Sequence, residues 1–285
     1  TCVLGTQFVV QRHASAVGFT LWLVALLLWF VCTYTVFVAL SIREDKPSLA
    51  DGINGGWLVA VVATQAICVL GCHVLPDRFS DRNAALFLLT CFWLCGGMLY
   101  VWMISLIFYR YTFFQFSPSD LMPPYWINMG AVAVSTLAGT TLIGSAGDAE
   151  LIRSLRPFVQ GLTILYWATA TWWIPMLVVL GIWRHYVRRV PFTYDPLYWG
   201  LVFPLGMYSV ATYRLVDVFG LPFLTWIARG FVVVAIIAWM LTFSGLVTRI
   251  LYAALLAVRA LAPMLPFGEH ATARVSPLDA AGVNP

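Results

Sequence analysis

The chain has 285 residues, 61% of them hydrophobic and only 10% charged, with a formal net charge of +4 from 16 basic and 12 acidic side chains. Its mean hydropathy of +0.88 leaves too little polar surface to wrap a water-soluble core of this size, so lipid is the expected solvent. The basic residues lie between apolar runs rather than in one patch, which reads as membrane topology and excludes a nucleic-acid binder.

Inside a bilayer every backbone polar group needs an internal partner, so only helices or closed barrels can cross it. The apolar runs here are too long and continuous for barrel strands, and the predicted class is an all-α integral membrane protein. The opening TCVLGTQFVV is apolar and lacks the basic flank and cleavage site of a signal peptide. It reads as part of a span. Seven full runs follow, each close to the roughly 20 residues a crossing needs: 18–42, 57–75, 84–108, 124–143, 158–183, 197–213 and 224–247. Lys46-Pro47-Ser48, Pro76-Asp77, Ser117 to Asp120 and Gly220-Leu221-Pro222 supply the turn chemistry between them. Residues 248–262 extend the last helix, so 1–262 forms a single transmembrane domain, and 263–285 is expected to be a flexible tail. Basic residues counted over alternate loops divide nine to six, which favours a cytoplasmic C-terminus and puts Arg184, His185, Arg188 and Arg189 on the inner side.

The spans are of two kinds. The first, third, fifth and seventh are long and rich in Leu, Trp and Phe, and read as lipid-facing. The second, fourth and sixth are shorter and carry small or polar groups: Ala60, Thr64, Gln65 and Cys68, then Asn128, Ala131, Ser135 and Gly139, then Gly200, Pro204, Ser209 and Thr212. Strict alternation predicts helical hairpins, each giving one helix to an inner ring and one to an outer ring. Small-residue stripes fit ordinary helix packing equally well, so a pore does not follow from them alone.

Several chemistries are excluded by what is missing. Lys46 is the only lysine and lies in a loop, so no span holds a Schiff-base lysine. His13, His73, His185 and His270 sit at span ends or outside, which argues against haem or metal, and the pairs Cys68/Cys72 and Cys91/Cys95 read as packing thiols. No nucleophile, phosphate-loop or acid/base motif is present, so no enzyme activity, cofactor or metal is expected. Arg229 is the clear intramembrane charge and reads as an interfacial anchor. A pore without inward charges selects by dipoles, hydroxyls and width.

In the sixth span Pro204 removes an amide donor and should kink the helix. Phe203 stands beside it with Gly200 and Gly206 nearby. A ring held there can plug a narrow pore, and a packed or lipid-facing ring is the competing reading.

The stretch YWGLVFPLGMYSVAT at 198–212 resembles the Trp/Phe-Pro pattern of the tellurite-resistance and dicarboxylate transporter family, whose members include TehA-like proteins and the plant guard-cell slow anion channel. PPYWINMGAVAVSTLAG at 123–139, NGGWLVAVVATQ at 54–65 and ATWWIPMLVVLGIWRH at 170–185 resemble it in the same order. The resemblance implies ten helices in five hairpins about a pseudo-fivefold axis, odd-numbered helices around a central pore, and usually a trimer. The opening resembles part of family helix three, so the first two helices of that pattern are lacking. It also implies that Phe203 occludes the pore. Thr64, Gln65, Asn128, Ser135, Tyr208 and Thr212 are pore-lining candidates by helix position.

The expected function is passage of small anions, inorganic or dicarboxylates such as malate, through a phenylalanine-gated pore in the cell membrane. A proton-coupled dicarboxylate carrier, a tellurite-resistance exporter and a non-transporting membrane scaffold remain open beside it.

Overall fold

The structure is a computed structural model that describes residues 1–147 and 149–261. The expected tail, 263–285, lies outside the described residues. All regular structure among the described residues is helical: α1 (Cys2–Arg12), α2 (Ser15–Ile42), the single turn α3 (Leu49–Gly52), α4 (Val59–Val74), α5 (Arg82–Phe113), α6 (Ile127–Gly144), α7 (Glu150–Ile182), α8 (Trp199–Phe219) and α9 (Thr225–Leu261). The residues form two compact units, Thr1–Thr242 and the part from Phe243 onward. In the second unit the last turns of α9 expose Leu251, Leu255 and Val258.

Six helical segments among the described residues are long and apolar enough to cross a membrane: Ser15–Ile42, Gly55–Val74, Arg82–Phe113, Pro123–Gly144, Glu150–Val187 and Pro222–Val258. They match six of the seven predicted spans. The remaining one, at 197–213, is a helix as expected, but α8 carries Tyr208, Ser209, Arg214 and Asp217 and is not among those six.

The turns form where the sequence provides the chemistry. Asp81 caps α5, its Oδ1 accepting from the amides of Asn83 at 2.9 Å and Ala84 at 3.3 Å. Gly220 ends α8 in the left-handed region at φ 65°, which a glycine adopts without steric cost.

In the first unit α1/α2, α4/α5, α6/α7 and α8 with residues 225–242 of α9 are consecutive hairpins. Their first members pack in series, α1 on α4, α4 on α6 and α6 on α8, while α2 backs α4 and both α5 and α7 back α6. The span in α6 is 83% buried against 6% for that in α2, so the alternation of inner and outer helices is physical.

One expectation needs revision. The Trp-rich outer helices are not simply lipid-facing. Trp22, Trp29, Trp93, Trp167 and Trp173 turn inward, because an indole N–H in an apolar medium needs an acceptor. Trp22 donates to the carbonyl of Ile67 at 3.1 Å, Trp93 to that of Ser135 at 2.9 Å and Trp173 to the Tyr100 hydroxyl at 3.0 Å. Arg110, counted in the sequence only as a loop charge, is also buried. It donates to the carbonyl of Ala50 at 2.5 Å and to the Tyr125 hydroxyl at 3.1 Å, and pairs with Asp120 at 3.6 Å. Arg229 is exposed near the start of α9.

Candidate functional site

The three inner helices α4, α6 and α8 open alike. Each follows a 3-10 turn, Gly55–Leu58, Pro123–Trp126 and Pro196–Tyr198. Asn54 and Asp195 cap two of them, accepting at 2.8 Å from the amides of Gly56 and Leu197. Pro123 presets φ for the third. Positions seven, eleven, fourteen and eighteen residues beyond the first residue of each turn fall on one helical face. They hold Val62, Gly130 and Phe203, then Ala66, Val134 and Met207, then Val69, Leu137 and Val210, and finally His73, Thr141 and Arg214.

Eleven of these twelve residues line a groove of about 220 Å³, and Val3, Thr6, Gln7 and Val10 of α1 supply a fourth wall. The exception is Gly130. A Cβ there would stand 2.7 Å from Pro204 Cγ, so the proline ring occupies the space a side chain would take. Here α8 packs tightly on α6. The preceding residue, Phe203, lies on the groove wall and is 37% exposed. Helix α8 runs without a break through Pro204, although the missing amide leaves the Gly200 carbonyl without its helical donor.

The walls are apolar over three levels, and the polar groups gather at the level of His73, Thr141 and Arg214. Thr141 donates to the carbonyl of Leu137 at 2.7 Å and Thr6 to that of Cys2 at 3.1 Å, so both hydroxyl protons are spent on their own helices. His73 Nδ1 is 2.8 Å from the Val69 carbonyl; with Nδ1 assigned as the donor, Nε2 is the nitrogen left over. The Gln7 carbonyl oxygen accepts from Gln11 at 2.8 Å, leaving the Gln7 amide protons. Among the described residues no carboxylate lines the groove. Asp217 stands 4.0 Å from Arg214 on the exposed rim, where such a pair is weak.

A second hollow, of about 660 Å³, shares Cys2, Val3, Val62 and Ala66 with the groove and reaches Asn54 and Trp57. Together the two spaces border α4 from Val59 to His73, a rise of about 21 Å.

The polar lining candidates lie elsewhere. Thr64, Gln65, Asn128, Ser135, Tyr208 and Thr212 are all buried, and none borders the groove. Four of them, Thr64, Gln65, Tyr208 and Thr212, hydrogen-bond to other helices through their side chains. Thr64 and Thr212 accept from the indoles of Trp29 at 2.8 Å and Trp167 at 3.0 Å. Gln65 donates to the carbonyl of Trp93 at 3.0 Å, and the Asn128 backbone carbonyl accepts from Tyr100 at 3.2 Å, while both side-chain amide atoms of Asn128 are buried without a hydrogen-bond partner. Ser135 donates to the carbonyl of Ala131 at 2.9 Å, and Tyr208 shares a hydrogen bond with Thr171 at 2.7 Å. In lipid, hydroxyls and amides turn toward protein partners, and the groove face is left to Val, Ala, Leu and Met. The signal that would have located it is the common register of the three 3-10 turns.

A family model described as voltage-dependent anion channel matches residues 1–247. The chain belongs to this SLAC1 family. An uncharacterized membrane protein of Mycobacterium tuberculosis is 40% identical over 148 residues, which are 52% of this SLAC1-family chain and 75% of that protein. An uncharacterized transporter of Methanocaldococcus jannaschii is 24% identical over 249 residues, 87% of this chain and 69% of its own, so most of the four-hairpin region is shared. A sulfite efflux pump of Trichophyton rubrum is 22% identical over 224 residues, 73% of this chain and 57% of the pump. No solved structure matches the chain.

Proposed function

We propose that this SLAC1-family protein passes small anions across a membrane along the groove between α1, α4, α6 and α8, with Phe203 as its constriction. The observation that carries the reading is the groove itself: apolar walls, one aromatic ring, basic groups at one end and, among the described residues, no carboxylate. An apolar neck impedes a hydrated ion until it opens or wets, and binds it too weakly to hold it. Arg214 raises the local anion concentration at the mouth. Sulfite, the ion in the fungal relative's name, and dicarboxylates such as malate are both candidate cargoes. Assembly as a trimer, location in the cell membrane and a cytoplasmic C-terminus belong to the same proposal.

Proton-coupled carriage is the second reading, favoured by His73 as the titratable group on the wall. The deciding experiment is anion flux into liposomes containing the full chain. Phe203→Ala should raise flux severalfold, and flux linear in concentration supports the channel. Saturable flux driven by a pH gradient supports the carrier, and no flux from either protein supports a scaffold.

A further inference from the structure

At the end of the molecule where α4, α6 and α8 begin, a crevice of about 320 Å³ opens between α7 and the first turns of α6 and α8, and shares no residue with the groove. Its apolar part is formed by Leu177, Val178 and Ile182 of α7 with Leu201 of α8. Its mouth is basic. Helix α7 ends in a π-helical turn, Trp183–Val187, and Arg184 and His185 of that turn border the crevice.

Arg184, His185 and Arg188 are each held by a neighbour, and Arg188 and Arg189 follow the lining residues without themselves bordering the crevice. Arg184 donates through Nη1 to the Leu121 carbonyl, while its Nε is buried without a partner. The His185 ring stacks on Phe192 with centroids 3.7 Å apart, and its Nδ1 is 2.8 Å from the Val190 carbonyl, which leaves Nε2 free. The Arg188 guanidinium lies over the Trp183 ring at 5.4 Å. Arg189 follows, exposed. From residue 177 to 201 the one acidic residue is Asp195, and it caps the turn before α8.

The surround is that of a membrane interface. Tyr186 and Phe192 are 78% and 73% exposed, and aromatic rings beside a basic cluster at a span end occupy the headgroup level. A free anion would satisfy the arginines and leave the crevice unfilled. A neutral lipid would fill the crevice and leave the arginines without a counter-charge. An anionic phospholipid meets both demands.

We propose that the crevice binds one anionic phospholipid, its phosphate held by Arg184, Arg188 and Arg189 and an acyl chain laid along Leu177, Ile182 and Leu201. Native mass spectrometry of the full chain tests this independently of transport, with phosphatidylglycerol and phosphatidylcholine of identical acyl chains as probes. The wild-type protein should retain phosphatidylglycerol in preference to phosphatidylcholine. Arg188→Gln with Arg189→Gln should weaken that preference on the order of tenfold or more, and Ile182→Trp should reduce retention by filling the crevice. Arg184 is left intact because it holds Leu121, and unchanged thermal unfolding of the variants confirms their fold. Equal retention of the two lipids, full retention by the double variant, or displacement of phosphatidylglycerol by millimolar inorganic phosphate would each overturn the proposal.

Discussion

The ring of Pro204 rests against Gly130, where a Cβ would stand 2.7 Å from Cγ. The atom in the way belongs to a rigid ring tied to the backbone of α8, so the clash has no cheap relief. Phe203 is the next residue along, and its place on the groove wall depends on this contact.

Gly130→Ala should therefore cost about 1–3 kcal/mol, as overpacking does in a tight interior, and should shift the flux properties with it. Gly206 sits in the same helix with nothing within 4 Å of a Cβ. Gly206→Ala should be neutral or stabilising by about 0.5–1 kcal/mol, since it removes a helix-interior glycine. Thermal unfolding in detergent checks both; equal effects would refute the special status of residue 130.

Arg214→Gln should lower anion flux, and more so at low ionic strength. Screening shortens the reach of a charge to about 10 Å at 0.1 M salt, so the difference from wild type should shrink as salt rises. Arg214→Lys should keep most of the flux. A salt-independent effect would point to packing instead.

Thr64→Val and Thr212→Val remove the acceptors of the Trp29 and Trp167 indoles. Each should lose about 1 kcal/mol of stability while leaving flux per folded protein unchanged, because neither side chain borders the groove. Altered ion selectivity in either variant would return these residues to the pathway.

Asp120 gives a pH signature outside the spans. The Ser117 amide donates to its carboxylate at 2.8 Å and the Ser117 hydroxyl at 2.9 Å, with Arg110 at 3.6 Å. These partners hold the carboxyl below its usual range, the Ser117 amide most of all. A lowered folded value means that the stabilisation is complete above about pH 4 and fades as pH falls through that value. Asp120→Asn should thus be less stable than wild type at neutral pH and converge with it in acid. A constant gap across the titration would show that the carboxylate charge is not what matters.

Much of the architecture was legible because a bilayer leaves so few solutions. Apolar length located the spans, and Gly220 marked a helix end by its chemistry. The division of helices into inner and outer followed from Ala131, Ser135 and Gly139, small residues that permit close approach. The groove face was harder to read. Polar residues look like natural walls for an ion path, yet Thr64 and Gln65 spend their polarity on contacts between helices and Ser135 spends its on its own helix. Val62, Ala66 and Val69 carry no chemical mark that separates a groove wall from a lipid-facing stripe. Only the shared register from Gly55, Pro123 and Pro196 distinguishes them. Gly130 was passed over for a similar reason: its importance lies in the ring of Pro204, 74 positions away, which nothing local announces.

The most direct test of the groove as the anion path is thiol accessibility on the two faces of α8. A single cysteine is placed at Met207, on the groove wall, or at Thr212, behind it, and treated with a charged, membrane-impermeant methanethiosulfonate during flux recording. The account predicts that Met207→Cys is labelled and its anion flux blocked, while Thr212→Cys is untouched relative to the parent protein. Block at Thr212→Cys with none at Met207→Cys would contradict it.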